Sequence, residues 1–385
     1  SAANLAASSN SVLTKAVTVI ANTQAIASEA TILGGYAKAI TFSVTDSAAN
    51  IAGANTDALS EAVDITVNDT ATVVQAEFIE ARTNSGTNTY SITDSATNLK
   101  NSSNPVLTKA STVTANTNAT QAEADIIAAF AKAVVYNISD TAANIHGGST
   151  VGRNEAVDII STLATIAQAT TIEGASNSGD FSFNIEDTAT AIAASSDVFL
   201  TKTGIGTVTV SGIANKTQAN TISAYTKAVI YNISDSAENI AAATAAARNE
   251  AINISATTAA TVAEATIIDN STNTSAPNNG TNTYNIEDSA TGINASTSAF
   301  LAKAGTVTVS DTVNKAQANK IGGFAKAVTF NISDEAVNIA TIDTSALNEA
   351  VNISASTAAT VAQAKIIDDA TNSGSNTYNI NDEAL

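Results

Sequence analysis

Cysteine, methionine and tryptophan are absent from this chain of 385 residues, and proline occurs only twice. No disulfide can staple it, no thiolate can hold zinc, and no Cys nucleophile is available. A single histidine, His146, leaves almost nothing for imidazole metal sites or general-base catalysis. Aromatic residues make up 4% and charged residues 13%, so large side chains and ion pairs are both scarce. The 16 basic residues face 35 acidic ones, and the net charge of -19 opposes binding to nucleic acid or anionic lipid. Glycine, at 18 residues, is too rare for collagen or a flexible linker array. No apolar run reaches the roughly 18–20 residues that a membrane-spanning helix needs, so no membrane insertion is expected. With Ser1 first and no Met anywhere, the chain reads as a processed form or a piece of something longer.

What the sequence does contain is repetition. The phrase TYNISDSA recurs in eight variants, with aspartates at Asp46, Asp94, Asp140, Asp187, Asp235, Asp288, Asp334 and Asp382. Their separations are 48, 46, 47, 48, 53, 46 and 48 residues, the long one carrying a polar insertion at 273–282 that includes Pro277. Four residues before each Asp stands an aromatic: Phe42, Tyr90, Tyr136, Phe183, Tyr231, Tyr284, Phe330 and Tyr378. Two residues before it stands Val44 or an Ile, such as Ile92, Ile233 or Ile380. Aromatic, small polar, Ile, small polar is period-two alternation, which predicts a strand with one buried face. An Ala-rich stretch follows, and the Asp reads as its helix N-cap.

A weaker copy lies inside each unit, as in residues 350–364, so a turn of about 23 or about 47 residues is expected. The whole of 1–385 then reads as one array of about eight units of 46–53 residues, or four double repeats of about 95. Units too small to bury their own apolar face stack on neighbours. The expected fold is an elongated stacked β-solenoid with short helical segments, mostly β with some α. A globular α/β domain is the alternative.

Fifteen residues after each Asp the charge alternates. Glu61, Glu155, Glu250 and Glu349 interleave with Lys109, Lys202 and Lys303. Decoration of a solvated face is the plain reading. Register control, in which like charges would repel after a slip of one unit, is the sharper one. The Asp series raises the question of calcium, but there is one Asp per unit and no D-x-D-x-D-G loop, so capping is preferred and no cofactor is expected. His146 reads as a surface residue. No unit breaks the repeat as a catalytic constellation would, and the chain is expected not to be an enzyme. The Thr-rich strands around Thr207 and Thr306 fit a flat ice-binding face, but only in some units.

The motif Y/F-x-I-x-D-S/T-A-x-N-I/L, the Ala/Thr/Ser/Asn richness and the low pI resemble long bacterial extracellular repeat proteins of the surface-layer and adhesin type. The resemblance covers the whole chain and implies a secreted or cell-surface structural role. Three classes of function compete: a self-assembling filament or lattice subunit, an adhesin stalk, and a polysaccharide-active enzyme. The uniformity of the units favours the first.

The two ends point to a partner. Ser1, Ala2, Ala3, Asn4 and Leu5 match the second half of the repeat phrase, as in Ser47-Ala48-Ala49-Asn50-Ile51, but without the strand and Asp. Thr377, Tyr378, Asn379, Ile380 and Asp382 supply a strand and Asp with no helix to follow. Joining Asp382 to Ser1 restores a unit, and Lys15 then continues the charge alternation after Glu349. Copies of the chain itself, joined head-to-tail with the C-terminal strand of one completing the first repeat of the next, are therefore the expected partners.

Overall fold

The computed structural model describes residues 1–274 and 279–381. Among these residues the chain forms 24 helices, with 39% of residues helical and 20% in strands. The protein is α/β. The expected mostly-β, stacked β-solenoid is therefore corrected. The alternation before each Asp is only four residues long, and it yields strands as short as Val44–Asp46, Ile92–Asp94 and Ile233–Asp235. The remainder of each turn is Ala-rich and well capped, and it closes into helices instead.

Two compact units divide the chain: Ser1–Ile185 with Lys202–Gly206, and Glu186–Thr201 with Thr207–Leu385. Within the first, Val44–Asp46 pairs in parallel with Ile65–Val67, which pairs with Asn88–Thr89. In the second, Ile233–Asp235, Ile254–Ala256 and Asn282–Thr283 repeat the arrangement. Ala96 N–H reaches Thr117 Oγ1 across 21 residues, and Thr87 N–H reaches Asp64 across 23. A turn is therefore the shorter of the two lengths anticipated, and each Asp-to-Asp unit contains two.

Three helices accompany the two turns of a unit. After Asp94 come Ala96–Asn101 and Asn104–Lys109, and the next turn carries Gln121–Ile127. The third kind starts at a capping box: Thr120 Oγ1 accepts from Glu123 N–H while the Glu123 carboxylate accepts from Thr120 N–H. The same box recurs at Thr72/Gln75, Thr165/Gln168, Asn215/Gln218, Thr261/Glu264, Asn314/Gln317 and Thr360/Gln363. Each such helix packs on the short helix one turn away, as Gln121–Ile127 does on Ala96–Asn101.

The core is built from small and branched side chains. Ala, Ile, Leu and Val line it, and seven of the eight motif aromatics are buried: Phe42, Tyr90, Tyr136, Phe183, Tyr231, Tyr284 and Phe330. Three of the buried tyrosines donate their hydroxyls to carbonyls: Tyr90 to Val106 at 3.0 Å, Tyr136 to Gly152 at 2.8 Å, Tyr231 to Ala247 at 2.9 Å. Gly34 and Gly322 end helices where a Cβ would come within 2.6 Å and 2.8 Å of Ala58 and Ala346. Side-chain volume at those two points would push the neighbouring helix away.

Candidate assembly interface

The repeated Asp is not the helix N-cap that the sequence suggested. The cap is the next residue, for example Ser47, Ser95, Thr141 or Ser236. The carboxylate instead ties two turns together. Asp94 Oδ2 accepts from Val73 N–H of the preceding turn at 2.9 Å. Its Oδ1 accepts from Ser95 N–H and from Asn98 Nδ2, both at 2.8 Å. Asp46, Asp140, Asp235 and Asp334 make the same three bonds, with Ala27, Gln121, Lys216 and Lys315 as the donors one turn back. Burial works against ionisation at these four, but the hydrogen bonds outweigh it and hold their pKa values below the usual carboxylate range.

At the N-terminal turn the first helix, Ala2–Ala6, occupies the place that follows an Asp. Ser1 Oγ accepts from Asn4 N–H, as Ser47 does from Asn50. Ala2 N–H reaches Thr23 Oγ1 at 2.9 Å, matching Ala96 to Thr117 and Ala237 to Thr258. The Tyr36 hydroxyl sits 2.8 Å from the carbonyls of Ala6 and Ser8, as Tyr225 meets Ala193 and Ser195. Asn4 stands where Asn50 and Asn98 hold an Asp, yet among the described residues no carboxylate meets its amide. Among the described residues the segment 17–25 pairs on one side only, with Thr41 and Val44. Val12, Val17 and Ile20 are 64%, 91% and 65% exposed, whereas Val106, which corresponds to Val12, is 8% exposed.

The C-terminal turn ends in strand residues. Asn376–Thr377 pairs with Ile353 and Ser354, and Ile380 bridges Ala359. Tyr378 packs partly against Ala336, Ala359 and Ala364 but stays half-exposed, and Ile380 is 57% exposed, whereas Ile92 is fully buried. Asp382 lies outside the described residues. In an internal turn Ser111 N–H donates to Tyr90 C=O, and Ile92 N–H to Thr112 C=O, both at 2.8 Å. Val17 N–H, Thr18 C=O, Tyr378 C=O and Ile380 N–H are the corresponding groups at the two ends, and among the described residues none of them is bonded. Of the residues singled out from the sequence, Ser1 caps the first helix, Ala2, Ala3, Asn4 and Leu5 lie within it with Ala2 fully buried, and Lys15 follows the second helix, Asn10–Leu13. Thr377, Tyr378, Asn379 and Ile380 lie in the C-terminal turn.

The charge alternation has a local basis. Lys109 pairs with Glu80, Lys202 with Glu173, and Lys303 with Asp269 at 2.6 Å. Each acid is the last residue of an eight-residue capping-box helix: Val73–Glu80, Ile166–Glu173 and Val262–Asp269. The lysines therefore answer a helix-terminal acid rather than the glutamates of the neighbouring unit. Nothing in the spacing of the charges alone revealed those acids.

Other features follow the repeat. The surface depression at Ala27, Asp46, Asn50 and Gly53 recurs at Gln121, Asp140, Asn144 and Gly147. His146 Nδ1 lies 2.7 Å from Thr171 Oγ1 on the surface. Among the described residues no three acidic or His side chains converge as a cation site, and no helix is long and apolar enough to cross a membrane. No family model, curated protein or solved structure matches the chain, so no comparison assigns it to a surface-layer or adhesin family.

Proposed function

We propose that this chain is a non-enzymatic structural subunit that works outside the cell and assembles head-to-tail with copies of itself. The observation that carries the proposal is the match between the two end turns. One offers a docked helix and a strand edge that lack their preceding strand and Asp, and the other offers a strand of that kind with half its apolar side uncovered. Seated together, they would place Val17 N–H on Tyr378 C=O and Ile380 N–H on Thr18 C=O, the bonding found inside the chain between Tyr90 and Ser111 and between Ile92 and Thr112. Leu5, Val12, Tyr378 and Ile380 would be covered in the same step. A strand edge with free backbone groups and exposed apolar side chains is a template for such addition. Because the two surfaces differ, the contact is heterologous, and it propagates into an open polymer unless it closes into a ring.

A non-enzymatic role fits the sameness of the units. Two surface depressions that recur with the array are lined by the Asp and Asn that hold the turns together, and two others recur at Tyr36 and Glu61 and at Tyr225 and Glu250.

Deleting residues 377–385 tests the joint. The shortened chain should sediment as a monomer at concentrations where the full chain forms polymers. Polymers of wild-type length after the deletion would place the contact elsewhere.

A further inference from the structure

We infer that Asp368 of one copy and Lys15 of the next form the ion pair that fixes the register of this joint; the inference rests on the head-to-tail reading. Three internal pairs set the pattern. Glu80, Glu173 and Asp269 each end an eight-residue capping-box helix, and each holds a Lys from the following turn. Asp368 ends the fourth helix of that kind, Val361–Asp368. It repeats a further detail: Tyr284 O–H approaches Asp269 Oδ1 at 3.4 Å, and Tyr378 O–H approaches Asp368 Oδ1 at 3.3 Å. Among the described residues no lysine lies within ion-pair distance of Asp368: Lys365 feels its charge but is paired with Asp369 at 2.8 Å.

The lysine that fits is at the other end. Residues 8–16, SSNSVLTKA, repeat residues 102–110, SSNPVLTKA, at every position but one, which aligns Lys15 with Lys109. Leu13 and Leu107 are both buried, although the helix closes at Leu13 in the first segment and runs to Lys109 in the second. Lys15 has no acidic partner among the described residues, unlike Lys109. Val12 and Ala16 are exposed where Val106 and Ala110 are buried, so the face around Lys15 lacks the cover that the turn before Lys109 provides. The internal acids keep side-chain exposures of only 10%, 22% and 19%. A carboxylate that poorly solvated tolerates a wrong neighbour badly, and a like charge opposite it repels.

The test uses two full-length variants, Lys15→Glu and Asp368→Lys, followed by sedimentation velocity. Each alone places like charges at every joint, and its polymerisation threshold should rise about tenfold or more over wild type. Mixed in equal amounts, the two can alternate, every joint then meeting opposite charges, and the threshold should fall back to within about threefold of wild type. Misfolding could not produce that rescue. Wild-type thresholds for both single variants, or no rescue on mixing, would overturn the ion pair. If deletion of 377–385 still blocks assembly in that case, the joint itself stands and only its charge code fails. If that deletion leaves assembly intact, both readings fall.

Discussion

Replacing Tyr231 with Ala should destabilise the protein by about 3–5 kcal/mol, the range for removing a large aromatic from a packed core. Tyr231 is 1% exposed, and its hydroxyl donates to Ala247 C=O at 2.9 Å. The residue that receives this hydrogen bond, Ala247, is itself fully buried and carries only a methyl side chain. A neighbour of that kind has little side chain with which to fill a void. In a chain with 4% aromatic residues, each motif ring also provides an unusually large share of the local apolar surface. Tyr231→Phe separates the two contributions: it keeps the ring and loses the hydrogen bond, and should cost about 1 kcal/mol. Urea denaturation of the three proteins checks the ordering. A cost below about 1 kcal/mol for the Ala variant would mean that this core position is not tightly packed.

Asp94→Ala should cost about 2–4 kcal/mol, because one substitution leaves three donors without their acceptor. Asp94 is 7% exposed, and the donors come from two turns: Val73 N–H, and Ser95 N–H with Asn98 Nδ2. The loss is thus shared between the start of the helix Val73–Glu80 and the start of Ala96–Asn101. Amide hydrogen exchange gives the specific readout. Val73 and Ser95 should exchange faster, while amides several turns away keep their protection, since contacts in a repeat array run between nearest neighbours. Removal of an ordinary N-cap would disturb Ser95 and its helix but not Val73. Unchanged exchange at Val73 would therefore contradict the role of the carboxylate as a tie between turns.

That distinction marks how far the sequence could be read. The aromatic, the Ile and the Asp stood out because each recurs at a fixed offset, and burial of seven of the eight aromatics follows from the alternation. The donors that the Asp serves are not legible in the phrase, because the spacing within it cannot show that Val73, 21 residues earlier, lies against Asp94. The balance of helix and strand differs from the expectation for a related reason. Four alternating residues carry a strong strand signal but little length, whereas the signals that set the helices are spread thinly along the turn. The Thr-x-x-Gln/Glu boxes at Thr72, Thr120, Thr165, Thr261 and Thr360 were present in the sequence and predict helix starts on their own. Together they carry the helical half of the α/β character. The acidic partners of Lys109, Lys202 and Lys303 were hidden differently. They lie 29 or 34 residues upstream, and only the stacking of turns brings them within reach.

Cryo-electron microscopy of the assembled wild-type chain tests head-to-tail addition most directly. Head-to-tail addition gives a polymer in which the strand of residues 377–380 of one copy lies parallel to residues 17–20 of the next, at the ordinary inter-strand spacing of about 4.8 Å. Density for Lys15 should lie against Asp368. Single separate molecules at high concentration, or a polymer whose subunits touch through the helical sides and leave residues 17–20 uncovered, would contradict it.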